Sequence, residues 1–125
     1  MGVEEATVLI VGMGGLGCPV AAALAQAGVG RLLLSDEDVV DESNLHRQFI
    51  YRYADVGRLK TEVAVERLAS EYSARQIECR PHFVPENGKA LAGEADLIIE
   101  GADNFPTKFL AADCAHLTRL SLIHI

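Results

Sequence analysis

The stretch "VLIVGMGGLGCPVAAALAQAG", Val8–Gly28, decides the fold expected of this chain. An apolar run meets a cluster of glycines and is followed by an alanine-rich segment. Continuous apolar runs are typical of parallel strands covered on both faces, and alanine favours a helix. Glycines between the two allow a tight turn, close approach of backbone to a phosphate, and close packing of helix on strand. The glycines of this turn are Gly12, Gly14, Gly15 and Gly17.

The rest of the chain continues the alternation of strand and helix. Strands are predicted at Thr7–Val11, Arg31–Ser35, Ile77–Val84 and Leu97–Ile99, and in the apolar run that ends at Ile125, which is typical of a buried strand. Helices are predicted after the glycine turn, from Lys60 to about Tyr72, from Asn87, and over Thr107–His116. This order predicts an α/β fold, a Rossmann-like parallel sheet with helices on both faces. We expect one domain over residues 1–125.

Composition narrows the function classes. Half of the 125 residues are hydrophobic, and the net charge of −7 argues against direct nucleic-acid binding, which favours a basic face. The three cysteines show neither CxxC spacing nor an even number, so we expect no disulfide framework and a cytoplasmic location. No apolar run is long enough to predict a membrane span.

The glycine turn and Asp36 alone indicate a dinucleotide. Asp36 follows the second strand, where its carboxylate could accept hydrogen bonds from a ribose. Backbone N–H groups and the helix dipole favour an anion at the turn itself. On these residues the default ligand is NAD.

A second group of residues favours a triphosphate. Its members follow strands at the carboxyl edge, where open α/β sheets bind ligands: Asn44, Arg47, Gln48, Lys60, Asp103 and Asn104. Amides and cations suit phosphate oxygens, and a carboxylate beside them suits Mg²⁺. A nicotinamide dinucleotide, which has only a diphosphate, needs no such cluster of cations and carboxylates beyond the glycine turn.

Three members also have a purely structural interpretation. Arg47 could be an exposed loop cation, and Lys60 could pair with Glu62 or Glu66, although a cation opposes the dipole at a helix start. Asp103 could cap the helix that follows it. For the cysteines, a structural role is favoured over a catalytic one. Cys18 and Cys114 are expected to be buried, and Cys79 lies in a predicted strand.

The motifs "VLIVGMGGLG", "SDEDVVDESNLHRQF", "GRLK" and "GADNF", in this order, resemble the ThiF/MoeB/HesA family of adenylyltransferases, which are related to ubiquitin-activating enzymes. The resemblance implies an ATP-dependent enzyme that adenylates the C-terminal glycine of a small ubiquitin-like sulfur carrier ending in Gly-Gly and releases pyrophosphate, as in thiamine or molybdopterin biosynthesis. It also implies a homodimer.

The resemblance assigns roles to matching positions. The four glycines form the ATP turn and Asp36 holds the ribose. Phosphates are contacted by Asn44, Arg47, Gln48 and Lys60. Asp103 binds Mg²⁺, with Asn104 beside it. Arg47, Lys60 and Asp103 are the candidate catalytic residues.

Departures from the family pattern leave alternatives open. Members of the family usually begin with an arm whose arginine reaches the partner subunit's ATP site, whereas only Met1–Ala6 precede the first predicted strand here. Members also continue into a region that often carries paired CxxC motifs for Zn²⁺, which would lie past Ile125, so we expect an incomplete ATP-binding portion. The alternatives are a Rossmann-type NAD-dependent oxidoreductase, which would use only the glycine turn and Asp36, and a non-catalytic nucleotide-binding partner subunit. Another carboxylate, in a modified tRNA base or a peptide, fits the same residues as the carrier.

We predict that Arg47→Ala and Lys60→Ala each lower the rate of adenylation by ~10²–10³, because each removes a charge that stabilises the transition state. Pyrophosphate exchange measures the rate, and circular dichroism checks that the variants remain folded. Near-normal turnover in either variant would remove that residue from the mechanism.

Overall fold

The computed structural model of the protein describes residues 2–45, 50–72, 76–101, 105–118 and 121–125. Its centre is one sheet of five parallel strands in the order β3-β2-β1-β4-β5. The strands are β1 (Thr7–Val11), β2 (Arg31–Ser35), β3 (Gln76–Arg80), β4 (Leu97–Glu100) and β5 (Ser121–His124). The predicted α/β class with a Rossmann-like parallel sheet is therefore confirmed.

Four helices connect the strands. They are α1 (Gly17–Ala27), α2 (Lys60–Glu71), α3 (Gly88–Gly93) and α4 (Phe105–Thr118). The chain passes from β1 outward to β2 and β3, and then crosses to β4 on the other side of β1. Because the direction of travel reverses between β1 and β4, a crevice opens there at the carboxyl ends of the strands. The glycine turn, between β1 and α1, lies at this edge.

Apolar residues of the strands point alternately to the two faces of the sheet. Val8 and Ile10 belong to the core beneath α1 and α2, whereas Leu9 and Val11 belong to the core beneath α3 and α4. Side chains buried on both faces explain why the strands are continuous apolar runs. No helix in the described ranges is long and apolar enough to cross a membrane.

β3 and β5 differ most from their predictions. β3 ends at Arg80 rather than Val84, because Pro81 cannot donate to the ladder. The Asn87 side chain then turns the chain by accepting from the Val84 N–H (3.0 Å) and donating to the His82 carbonyl (2.8 Å). β5 was expected to be buried, which is wrong: its pattern is largely exposed, because within the described chain it pairs only with β4, at the edge of the sheet.

Two glycines of the turn are required by its geometry. Gly12 has φ 99°, in the left-handed region that side chains rarely adopt. At Gly17, an added Cβ would overlap the Gly12 carbonyl oxygen. The start of α1 therefore packs directly on the backbone that leaves β1, and only a residue without a side chain permits this approach.

We predict that Gly17→Ala lowers the free energy of unfolding by at least about 2 kcal/mol, because backbone must move to admit the methyl group. Gly15→Ala in the same turn is the matched control: its Cβ would meet nothing within 4 Å, so its effect should stay within about 0.5 kcal/mol. Urea denaturation measures both. Equal stabilities of the two variants would contradict this account of the turn.

Candidate functional site

The glycine turn presents backbone donors at the carboxyl edge of the sheet. The Gly12 N–H donates to the Ser35 carbonyl (2.8 Å), which fixes the turn to the end of β2. The residue before α1, Leu16, provides no side-chain cap. Gly15 and Leu16 are exposed. The two residues just before α1 are therefore accessible, at the helix end where an anion is the expected partner.

Asp36 connects the turn to the segment after β2. Its Oδ2 accepts from the Met13 N–H (2.6 Å) and its Oδ1 accepts from the Asp38 N–H (2.7 Å). Both oxygens retain a further lone pair, since a carboxylate offers about four acceptor positions. The structure thus places Asp36 beside the turn and gives it a contact that sequence reasoning missed. Its assignment to a ribose stays a prediction.

Lys60 is brought to the same edge by a short antiparallel pairing. The Val40 N–H donates to the Arg58 carbonyl (2.8 Å), and the Lys60 N–H donates to the Asp38 carbonyl (3.0 Å). This pairing starts α2 next to the residues that follow β2. Lys60 therefore lies next to the residues that follow β2, and its role toward a phosphate stays a prediction.

The Lys60 side chain is buried, and its ion pair within the described residues is long. The residue is 5% exposed, and its Nζ lies 3.9 Å from Asp38 Oδ2. Of the carboxylates considered for it, Glu66 instead pairs with Arg58 at 2.7 Å. Its charge reaches the start of α1, where it partly offsets the burial that raises the pKa of Cys18. Burial of an ammonium is costly unless an anion accompanies it, so this position suits a bound phosphate.

Tyr51 and Cys18 hold the turn from within the core, a role that sequence reasoning missed. The Tyr51 hydroxyl donates to the Met13 carbonyl (2.7 Å), and Cys18 Sγ lies 3.1 Å from the same oxygen. Burial raises the pKa of the Cys18 thiol to about 11 and raises the pKa of Tyr51 well above its ordinary value. The local sequence offers only an aromatic residue near the end of the polar segment that follows β2.

A buried carboxylate ends β4. Glu100 is fully buried, and its oxygens contact Lys108 Nζ (2.9 Å) and His124 Nδ1 (2.8 Å). It therefore connects β4 to α4 and β5. The next residue, Gly101, donates its N–H to the Val11 carbonyl (2.8 Å), and a Cβ there would lie 3.7 Å from Gly17 N. The end of β4 thus lies against the start of α1.

Four predicted site residues, Arg47, Gln48, Asp103 and Asn104, lie outside the described residues. Asn44 is described by its backbone, as the last residue of a 3₁₀ turn that follows Asp41. Asp41 Oδ1 accepts from the Ser43 N–H (2.8 Å) and begins this turn. No cluster of three metal-ligating side chains occurs in the part of the chain that the structure describes. The phosphate and Mg²⁺ roles of these residues stay predictions.

Comparison with known proteins decides the family. The ThiF family model matches residues 2–125. The chain belongs to the ThiF family. Within that family it is 40% identical to the sulfur carrier protein adenylyltransferase of Thermus thermophilus, over 96% of this chain and 45% of the relative. It is 44% identical to the adenylyltransferase and sulfurtransferase uba4 of Aspergillus niger, over 96% of this chain and 25% of the relative.

Solved structures of the ThiF type share the fold. The tRNA N6-threonylcarbamoyladenosine dehydratase TcdA of E. coli, in complex with ATP, superposes with a TM-score of 0.90 and 26% identity, over 98% of this chain and 51% of that chain. The present chain therefore spans about half of that protein and a quarter to a half of the relatives named above.

The three thiols should differ in reactivity. Cys79 is exposed, whereas Cys18 and Cys114 are buried as predicted. Because the thiolate is the nucleophile, Cys18 should react with iodoacetamide at pH 8 at least roughly tenfold more slowly than Cys79. Its rate should rise with pH up to about pH 11, where its pKa lies. Mass spectrometry of peptides measures the order, and early labelling of Cys18 in the folded protein would contradict it.

Proposed function

We propose that this chain is the ATP-binding portion of an enzyme that adenylates the C-terminal glycine carboxylate of a small ubiquitin-like sulfur carrier. The observation that carries the proposal is the buried Lys60 ammonium at the carboxyl edge, next to the residues that follow β2. Membership of the ThiF family and the names of the adenylyltransferase relatives support it. A carrier ending in Gly-Gly, a homodimer and a cytoplasmic location belong to the same proposal.

The chemistry is an in-line displacement at phosphorus. A carboxylate oxygen of the carrier bonds to the α-phosphorus of ATP while the bond from that phosphorus to the bridging oxygen breaks. The electron pair leaves with pyrophosphate, and the carrier becomes an acyl adenylate. Little covalent work falls to the protein, which aligns the reactants and neutralises developing negative charge.

Residues of this chain supply alignment and charge. N–H groups of the glycine turn and of the start of α1 would hold phosphate oxygens, and Asp36 would accept from the ribose hydroxyls. Lys60 would neutralise the phosphates from one side, with Arg47, Gln48 and Asn44 contributing further contacts. Asp103 would hold Mg²⁺, with Asn104 beside it, and the metal supplies additional charge neutralisation. The position of Gly101 against the start of α1 supports this arrangement, because Asp103 follows two residues later.

The burial of Lys60 favours ATP over a nicotinamide dinucleotide. A dehydrogenase of this fold binds its diphosphate through the glycine turn and needs no buried cation at the start of α2. Retaining an ammonium there without a ligand costs stability. An NAD-dependent oxidoreductase would have no bound phosphate for Lys60 to contact, so its burial would be unexplained.

We predict saturable binding of Mg-ATP in a calorimetric titration and no saturable binding of NADH. Lys60→Ala should weaken Mg-ATP binding by roughly 10-fold to 100-fold, since a charge-assisted contact to phosphate contributes about 1.5–3 kcal/mol. Arg31→Ala is the matched control, because Arg31 begins β2 at the opposite edge of the sheet, where it pairs with Glu78.

Besides absence of Mg-ATP binding, two results would overturn the proposal. One is binding of NADH without binding of Mg-ATP, which would favour the oxidoreductase. The other is Mg-ATP binding that Lys60→Ala and Arg31→Ala weaken equally, which would reduce the role of Lys60 to overall charge. If Mg-ATP binds as predicted, the next measurement is pyrophosphate exchange with carriers ending in Gly-Gly.

A further inference from the structure

The Met13 carbonyl has two donors from the core. Tyr51 is 3% exposed, and its hydroxyl lies 2.7 Å from the Met13 oxygen. Cys18 Sγ lies 3.1 Å from that oxygen and 3.4 Å from the Tyr51 hydroxyl. The Met13 side chain is fully buried, whereas Gly15, two residues later, is exposed. The turn therefore has one anchored residue next to an accessible one.

Both donors keep their protons at neutral pH. Burial raises the pKa of Cys18 to about 11, and burial together with the neighbouring Cys18, Asp36 and Asp38 raises the pKa of Tyr51. Lys60 acts in the opposite direction on Cys18 without cancelling the effect of burial. A hydroxyl and a thiol therefore face the carbonyl oxygen as donors.

The other side of Met13 is fixed as well. Its N–H donates to Asp36 Oδ2 at 2.6 Å. Residue 13 is thus held through both of its backbone polar groups, by a carboxylate after β2 and by two side chains of the core. Rotation of either peptide plane would break at least one hydrogen bond that is buried or partly buried, which is costly.

The peptide between Met13 and Gly14 is trans. In a trans peptide the C=O and the N–H point in opposite directions. A carbonyl that points into the core toward Tyr51 therefore directs the Gly14 N–H away from the core. Donors on the carbonyl oxygen also polarise the N–H of the same peptide, because hydrogen bonds in a chain strengthen one another.

We propose that Tyr51, assisted by Cys18, is a positioning residue that fixes the Met13–Gly14 peptide so that the Gly14 N–H donates to a phosphate of the bound nucleotide. This role rests on the proposed ATP binding. Tyr51 does not touch the substrate, because its hydroxyl is enclosed and already committed to the Met13 carbonyl. It acts through the backbone of the turn.

The deciding experiment is Tyr51→Phe, which removes one hydroxyl and keeps the buried ring. The Kd of Mg-ATP should rise about fivefold to tenfold, from the loss of one buried hydrogen bond that orders the turn. Calorimetry is performed well below the unfolding midpoint of each variant, so that loss of folded protein does not enter the Kd. Tyr72→Phe is the matched control, since Tyr72 packs partly buried against the same core at the end of α2.

NMR spectroscopy reports directly on the Met13–Gly14 peptide group. Loss of the donor should move the Gly14 ¹⁵N resonance of the free protein upfield, because a hydrogen bond to the carbonyl deshields the nitrogen of the same peptide. Tyr72→Phe should leave it unchanged. A tyrosine needed only for packing would lower the unfolding midpoint without moving this resonance.

Cys18 variants keep the proposal falsifiable if Tyr51→Phe does not fold. Cys18→Ser retains a donor and should bind Mg-ATP within twofold of the unaltered protein, whereas Cys18→Ala should bind it more weakly than Cys18→Ser. Equal affinities of these two variants, or a Tyr51→Phe affinity within twofold of the unaltered protein, would overturn the positioning role. Absence of Mg-ATP binding by the unaltered protein would instead overturn the proposed function, and this inference with it.

Discussion

The contact between the backbone of Gly12 and the start of α1 is the constraint on which this molecule depends. Because Gly17 has no side chain, α1 begins directly against the Gly12 carbonyl. That approach directs the N–H groups of the helix start to the carboxyl edge and brings the end of β4, at Gly101, beside them. Asp36 and Tyr51 then hold Met13, the residue between the turn and the core. The backbone of the turn therefore determines where the candidate site lies.

Among the described residues, Lys60 combines deep burial with a long ion pair. Several arginines have close carboxylate partners, such as Arg67 with Asp55 at 2.6 Å and Arg58 with Glu66 at 2.7 Å. Lys60, in contrast, lies 3.9 Å from Asp38 although it is more deeply buried. In a protein with a net charge of −7, an anion depends on such local cations rather than on a general positive field.

The sequence was informative where a local pattern reflects a local cause. β1 and β2 have the predicted bounds, because strands covered on both faces are unbroken apolar runs, and α2 begins at Lys60 as its periodicity indicated. β5 was misjudged because exposure at a sheet edge depends on which strands flank it, not on its own residues. The contact of Tyr51 with Met13 joins residues 38 positions apart. No spacing rule within the sequence reports a contact of that kind.

The central position of β1 has a consequence for synthesis of the chain. Its pairing with β2 involves neighbours along the sequence, but its other edge pairs with β4, and the Thr7 N–H donates to the carboxylate of Asp96, 89 residues later. At about 5–20 residues per second, that edge stays open for roughly 4–18 s after β1 has been made. During this interval the most apolar strand presents an unpaired ladder to any other strand, or to a chaperone. The topology that creates the crevice therefore also determines when the nascent chain is most prone to aggregate.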